Sequence, residues 1–291
     1  MANSFIYAEE WAQQLQDRLS EPTKWKEICD VRYTDTRVIN NPYLATDPTV
    51  ATLTRGTAYS FSDITETNES LTISTARAVP QIIDRADLAQ SDFRSQMQTA
   101  DWQATLLNEA IEAAVYGNHS NFTDFGAGDI SGGAVADTTQ INVSATNIDD
   151  IIVNIERVIR VAGGETLLER NGGFIVWRPA DFTILEQFAM ANGYNMADQA
   201  LRNSAGAGSA YRGFYYMGFW HYTSNQLVAN HVHAGVKGVH TLGILRSTFG
   251  QIMVDDKDPN LVSGISVVSR VDYGVKVWTK TKPVIFDVNV A

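Results

Sequence analysis

The chain has 291 residues, 44% of them hydrophobic and 19% charged, enough apolar material for a sizeable core, which excludes a chain that is mainly disordered. Its 33 acidic residues against 22 Lys and Arg give a formal net charge of -11, which excludes a general attraction to phosphate backbones, and no cluster of basic residues offsets it. Cys29 is the only cysteine, so neither an intrachain disulfide nor a thiolate metal cluster can form, and a reducing compartment is expected. No stretch approaches the roughly 18 apolar residues of a membrane span, and the first residues lack the basic and apolar regions of a secretory leader, so no membrane association is expected.

Between Tyr7 and Leu19, Trp11, Leu15 and Leu19 fall at i, i+4 and i+8, with acids early and Arg18 late, which predicts a short amphipathic helix. One apolar stripe needs one partner. From Val31 to Pro48, Asn41-Pro42 and Asp47-Pro48 predict extended chain with turns, because the residue before a proline is pushed out of the helical region. Alternation at Leu53, Arg55, Thr57, Tyr59 and Phe61, and again at Leu71, Ile73, Thr75, Arg77 and Val79, predicts a long β-hairpin with Asp63 to Ser70 as its tip. Its faces carry few large apolar groups, so it is expected to lie on another surface rather than in the home core.

A spine helix is predicted from Asp92 to Tyr116, with Phe93, Met97, Ala100, Ala104, Leu107, Ile111, Ala114 and Val115 at helical spacing and Gly117 placed to stop it. Gly126 to Gly133 is Gly-rich but lacks the Gly-Lys-Ser/Thr ending of a phosphate loop. A second helix, capped by Asn147 and running to Ala162, puts Ile148, Ile151, Ile152, Ile155, Val158 and Ile159 on one face before Gly163-Gly164. The apolar run Phe174 to Trp177, then Arg178-Pro179 and a helix to about Ala191, is a strand, proline, helix unit. From Phe214 onward short β-like runs dominate, ending in Ile265 to Val271, Val275 to Thr279 and Val284 to Val290. Helices in the middle and strands at both ends make an α+β plan.

Marks of catalysis are sparse. His231 and His233, two apart on a strand, share a face and could hold a metal with His221 or His240, which is the best case for an enzyme, a metal-dependent hydrolase. The carboxylates near in sequence, Asp255 and Asp256, lie in an acidic turn and complete that shell poorly. No Gly-X-Ser-X-Gly elbow and no Gly-X-Gly-X-X-Gly fingerprint occurs, and the pairs Glu9/Glu10 and Asp149/Asp150 diverge on a helix rather than share a proton.

The order of elements carries more. Leu71-Thr72-Ile73, then Ile83-Asp84, then Gln90-Ser91 opening the spine helix, together with Asn147 to Ala162, Phe174 to Pro179 and Ala180 to Ala191, and the run from Gly218 to Leu227 with its Ser224-Asn225, resemble the major capsid protein family of tailed bacteriophages, the Hong Kong 97-like fold. The resemblance runs in order from about Val50 to Ala291. It implies an N-terminal arm over residues 1–48, an extended β-hairpin over 49–80, a peripheral domain with the spine helix over 81–145, an axial domain over 146–255 and C-terminal strands over 256–291 returning to the peripheral domain.

The function implied is self-assembly, as hexamers and pentamers, into an icosahedral head that encloses double-stranded DNA without sequence-specific binding. Such a head is built in the host bacterial cytoplasm and becomes part of the virion. No enzyme activity, cofactor or metal is expected; portal and decoration proteins are possible partners, as is a separate scaffolding protein, since the arm-like helix starts close to Met1. A nanocompartment shell would share the fold. Large side chains and Arg on a poorly buried hairpin make Leu53, Arg55, Tyr59, Phe61, Leu71 and Ile73, with Trp11 and Leu15 of the arm, the expected inter-subunit contacts. Residues 45–80 contain no Lys, so the Lys to Asn weld of some relatives is not expected there.

Overall fold

A computed structural model describes residues 23–50, 52–56, 58, 63–83, 93–133, 136–192, 214–249, 251–255 and 265–291. The predicted arm helix with Trp11 and Leu15 lies outside them. In chain order the elements are α1 (Trp25–Ile28), β1 (Asp30–Thr34), β2 (Val38–Leu44), β3 (Glu66–Thr72), β4 (Thr75–Ile83), α2 (Phe93–Gly117), β5 (Thr123–Phe125), α3 (Ala127–Ile130), α4 (Ile148–Val161), α5 (Glu165–Asn171), β6 (Gly173–Trp177) and α6 (Pro179–Ala191). They continue as β7 (Phe214–Tyr216), β8 (Phe219–Thr223), β9 (His231–Val236), β10 (His240–Leu245), β11 (Gln251–Asp255), β12 (Ile265–Val277) and β13 (Ile285–Asn289). This is an α+β chain with no helix, among the described residues, long and apolar enough to cross a membrane.

The described strands form two sheets and a ribbon. One sheet runs β1-β10-β12-β11 with β4 also on β12, the other runs β5-β13-β9-β6-β8-β7, and β2 pairs β3 alone. The spine helix α2 packs on β12 and β4. Gln103, fully buried on its inner face, donates to Gln81 of β4 at 2.9 Å and accepts from Ser269 of β12 at 2.5 Å, so one amide pins the helix across two strands. On α4 the six predicted apolar residues are all buried, and Gly163 at φ +76 ends the helix. The Asn147 side chain does not cap α4; it accepts from the Ser144 N–H at 2.8 Å and holds the preceding turn instead. Pro179 opens α6 at its first position, where a missing N–H is no loss.

A buried carboxylate joins the two sheets. Glu112 of α2 accepts the Lys24 N–H at 2.9 Å, the Tyr116 hydroxyl at 2.8 Å and the Ser224 hydroxyl, just past β8, at 3.3 Å. Burial first, then the adjacent Glu112, pushes the Tyr116 phenol well above its ordinary pKa.

The expected hairpin is corrected. Asp63 to Ser70 is not a tip, because Glu66 to Ser70 are ladder residues of β3, and β3 pairs antiparallel with β2, Val38 opposite Thr72 and Leu44 opposite Glu66. The second alternating run, from Thr75, crosses into the first sheet as β4 against β12. Pro42 had disguised β2, but a two-stranded ribbon leaves each strand one free edge, where a proline costs no ladder bond. Across position 255, β10 and β11 pair with β12, and β13 pairs with β9.

The ribbon leaves the sheet over two glycines that face each other, Gly243 and Gly274. A Cβ on Gly243 would sit 2.6 Å from Leu71 Cδ2, and one on Gly274 would overlap the carbonyl oxygen of Thr72. Gly274→Ala is expected to lower stability by about 1–3 kcal/mol through forced backbone shifts, read as a lower urea midpoint at unchanged slope. Gly117→Ala, whose Cβ would meet nothing within 4 Å, is expected to stay within about 0.5 kcal/mol of the parent chain.

Candidate functional site

Among the described residues the ribbon of β2 and β3 is held most firmly at one end, with Asp47, past the other end of β2, 2.9 Å from Lys280. At its base Leu71, Ile73, Leu245 and Trp278 form a small core of their own, with Ile39 packed against it. Polar contacts fasten the same end. Glu69 accepts the Thr279 N–H at 3.1 Å and the Thr279 hydroxyl at 3.2 Å, and Lys276 lies 3.1 Å from Glu69 while donating to Ser70 O at 2.7 Å. Burial works against the Glu69 carboxylate, but the Thr279 N–H and the Lys276 ammonium outweigh it and hold its pKa below the ordinary value. Beyond this base Leu44, Leu53 and Ile64 are exposed, the last two at 73% and 77%, as is Val38 at the base itself.

The histidines sit elsewhere, all but His221 at the end of the spine helix. His233 does share a face with His231, but it is buried between Tyr116 and Phe122, ring centroids 5.1 and 4.7 Å away. Burial, with His240 and His119 nearby, pushes its pKa well below the ordinary value. His240 lies beside Cys29 and Asn118, at 3.9 and 3.0 Å, and burial pushes it down to about 3. His221 accepts the Trp177 indole N–H at 3.0 Å and donates to Tyr216 O at 3.0 Å, and burial pushes it down to about 4. His221 and His240 therefore serve as neutral, bonded core groups; neither joins His231 and His233 in the expected shell. His231 instead meets His119 and Asp287, two residues that spacing in the sequence did not suggest. Asp287 did leave a trace, as a lone acid in the otherwise apolar strand Ile285 to Val288.

In the Gly-rich loop the N–H groups of Gly126 and Gly128 point at the chain's own carboxylates, Asp129 at 3.1 Å and Asp137 at 2.6 Å. These amides are already spent on a tight internal turn.

No family model matches the chain, and no curated protein matches it. Solved structures do. A chain of Mycobacterium phage Che8 aligns with a TM-score of 0.70 at 15% identity, covering 99% of this chain and 98% of that one. The capsid of a native GTA particle aligns at 0.66 and 13% identity over 98% and 95%, and the capsid of the Cyanophage P-SCSP1u at 0.62 and 14% over 98% and 93%. The chain has a Hong Kong 97-like capsid fold.

Within this capsid fold the expected contact residues divide into three groups. Leu53 and Arg55 are exposed and free to meet another surface. Tyr59 and Phe61 lie outside the described residues. Leu71 and Ile73, at 1% and 3% exposure, are corrected: they belong to the core at the ribbon's base, because their alternation faces Leu245 and Trp278 of the same chain. Sequence reasoning missed Ile64, an apolar side chain held in water between Asp63 and Thr65, and that placement was its signal.

The buried histidines set an acid limit. An unfolded histidine takes its proton near 6.5 whereas His221 and His240 resist it down to about 4 and about 3, so the unfolded state binds more protons and stability falls as pH drops from 6.5 through those values. The expected loss is at most about 1.4 kcal/mol per pH unit for each buried histidine. Urea midpoints that stay flat between pH 6.5 and 5 would overturn this assignment.

Proposed function

We propose that the chain is the major capsid protein of a tailed double-stranded DNA bacteriophage, self-assembling through pentamers and hexamers into the icosahedral head of the virion. The observation that carries this reading is the reciprocal coverage: capsid chains of a phage and of a GTA particle match 98% of this chain and leave less than a tenth of their own length over. A fold shared end to end leaves little room for a grafted second activity. The head would form in the host bacterial cytoplasm, with a scaffolding protein, a portal and decoration proteins as further partners. The net charge of -11 suits a wall that has to hold a polyanion without gripping it.

The ribbon supplies the physical reason for assembly. Seven paired residues on each strand reach about 23 Å from the base, at roughly 3.3 Å per residue. A two-stranded ribbon is marginal in water, and this one buries only Leu71 of its β3 residues. Laid on a neighbour, Leu53, Arg55 and Ile64 would gain the covered surface that the home chain does not give them, and extended head-to-tail contacts of this kind close into rings. Trp11 and Leu15 of the arm, with Tyr59 and Phe61, are proposed as further contacts.

Electron microscopy with light scattering tests the reading. The purified chain at high concentration is expected to give rings of five and six subunits or closed shells that dissociate to monomers on denaturing gels. The double variant Leu53→Asp, Ile64→Asp is expected to stay monomeric with an unchanged urea midpoint. A parent chain that is monomeric under every condition, or a variant that assembles normally, would sink the proposal.

A further inference from the structure

Asp287 is a carboxylate in a costly place. It lies on β13, between β5 and β9, and is 2% exposed. Among the described residues its partners are two imidazoles: His119 Nδ1 is 2.9 Å from Oδ2, and His231 Nδ1 is 2.9 Å from both oxygens. The two rings lie 4.0 Å apart between centroids and are inclined by 34°. Both nitrogens therefore converge on one anion from the same side. Hydrogen bonds from two neutral imidazoles leave the carboxylate's charge buried without a counter-charge, which either one imidazolium or one bound cation would supply.

We propose that His119, His231 and Asp287 form a binding site for one Zn²⁺ ion. A single divalent cation supplies that counter-charge. The ligand atoms all lie within 4.8 Å of one another, and a tetrahedral ion with bonds of about 2.0–2.2 Å holds its ligands about 3.4 Å apart, so the 2.9 Å contacts need only open by about half an ångström. Two imidazole nitrogens and one carboxylate oxygen are a borderline donor set, suited to Zn²⁺ and poorly suited to Mg²⁺ or Ca²⁺, which take oxygen ligands. The side chains of His119 and His231 are 21% and 22% exposed, which gives the ion a way in and leaves its fourth position to water.

The backbone at all three ligands is already fixed. His119 lies in the 3₁₀ turn that follows α2, where its carbonyl accepts the Phe122 N–H at 2.9 Å. His231 and Asp287 are held by the ladder that pairs β9 with β13, where Asp287 stands opposite His233 and His231 opposite Asn289. The ion would tie the end of the spine helix to two strands whose residues are 112 and 168 positions further along the chain. A ligand that binds the folded chain and not the unfolded one stabilises by mass action, so the site is a structural clamp. It neither needs nor contradicts the capsid reading.

Chelator-treated full-length chain, titrated with Zn²⁺ by calorimetry and checked by elemental analysis after dialysis, tests the proposal. One Zn²⁺ per chain and a higher melting temperature with Zn²⁺ are expected, with no response to Mg²⁺. His119→Ala, at a partly exposed turn position, and separately Asp287→Asn are expected to weaken Zn²⁺ binding by more than about a hundredfold. Co²⁺ in place of Zn²⁺ is expected to give the intense visible bands of a tetrahedral site in the parent chain and not in His119→Ala. Retention of less than half a Zn²⁺ per chain, equal response to Mg²⁺, or undiminished binding by His119→Ala would each overturn the site.

Discussion

The carboxylate of Glu112 is the constraint on which the arrangement of the two sheets depends. A charge at 1% exposure is tolerable only when donors surround it, and here they come from three separate places: the Lys24 N–H before α1, the Tyr116 hydroxyl one helical turn on, and the Ser224 hydroxyl after β8. Removing any one of these donors would leave the buried carboxylate less well satisfied. The spine helix, the segment leading into β1 and the far edge of the six-stranded sheet therefore have one mutual placement. The lone thiol beside this network is part of the same interior. Burial, with Glu112 next, drives the Cys29 pKa far above the ordinary thiol range, so it stays a small neutral packing group.

Other buried polar groups work in the same way. Gln103 fixes the height of the spine helix over β4 and β12, and the His221 ring fixes Trp177 against Tyr216. Apolar contacts are non-directional and fix the height of a helix less sharply than a hydrogen bond does. At a buried amide a mismatch leaves a donor or acceptor unpaired at about 1–3 kcal/mol. The core is thus held in register by a few polar pins set among residues such as Ile111, Phe125 and Phe286, which supply the bulk of the burial.

Local periodicity made the helices legible. The apolar stripes of α2 and α4, the Gly163 stop and the Pro179 start are all short-range features, and each reads directly from residues within a few positions of one another. Pairing across distance was not legible. The alternation of Leu71 and Ile73 was visible, but nothing local says that their inward face meets Leu245 and Trp278, some 170 to 200 positions on, or that β3 pairs backwards with a strand containing Pro42. The histidines teach the same lesson. Two residues apart on a strand does put His231 and His233 on one face, yet burial decides which of them is available, and the partners His119 and Asp287 arrive through the turn after α2 and through β13.

The contrast between pinned core and exposed ribbon bears on how such a chain could build a closed surface. Gly243 and Gly274 let the ribbon cross the sheet at van der Waals distance, and Glu69 with Lys276 and Thr279 fixes the direction in which it leaves. Past that point the apolar packing of the base ends and the exposed Asp47–Lys280 pair is a weak restraint, so under the proposed function the ribbon could follow the surface of a neighbour. A closed shell needs both properties at once. Subunits have to keep their shape to fit repeatedly, and their outreaching parts have to absorb the small differences in angle between rings of five and rings of six. Under the proposed function, a firmly packed base beneath an exposed ribbon would divide those two tasks within one chain.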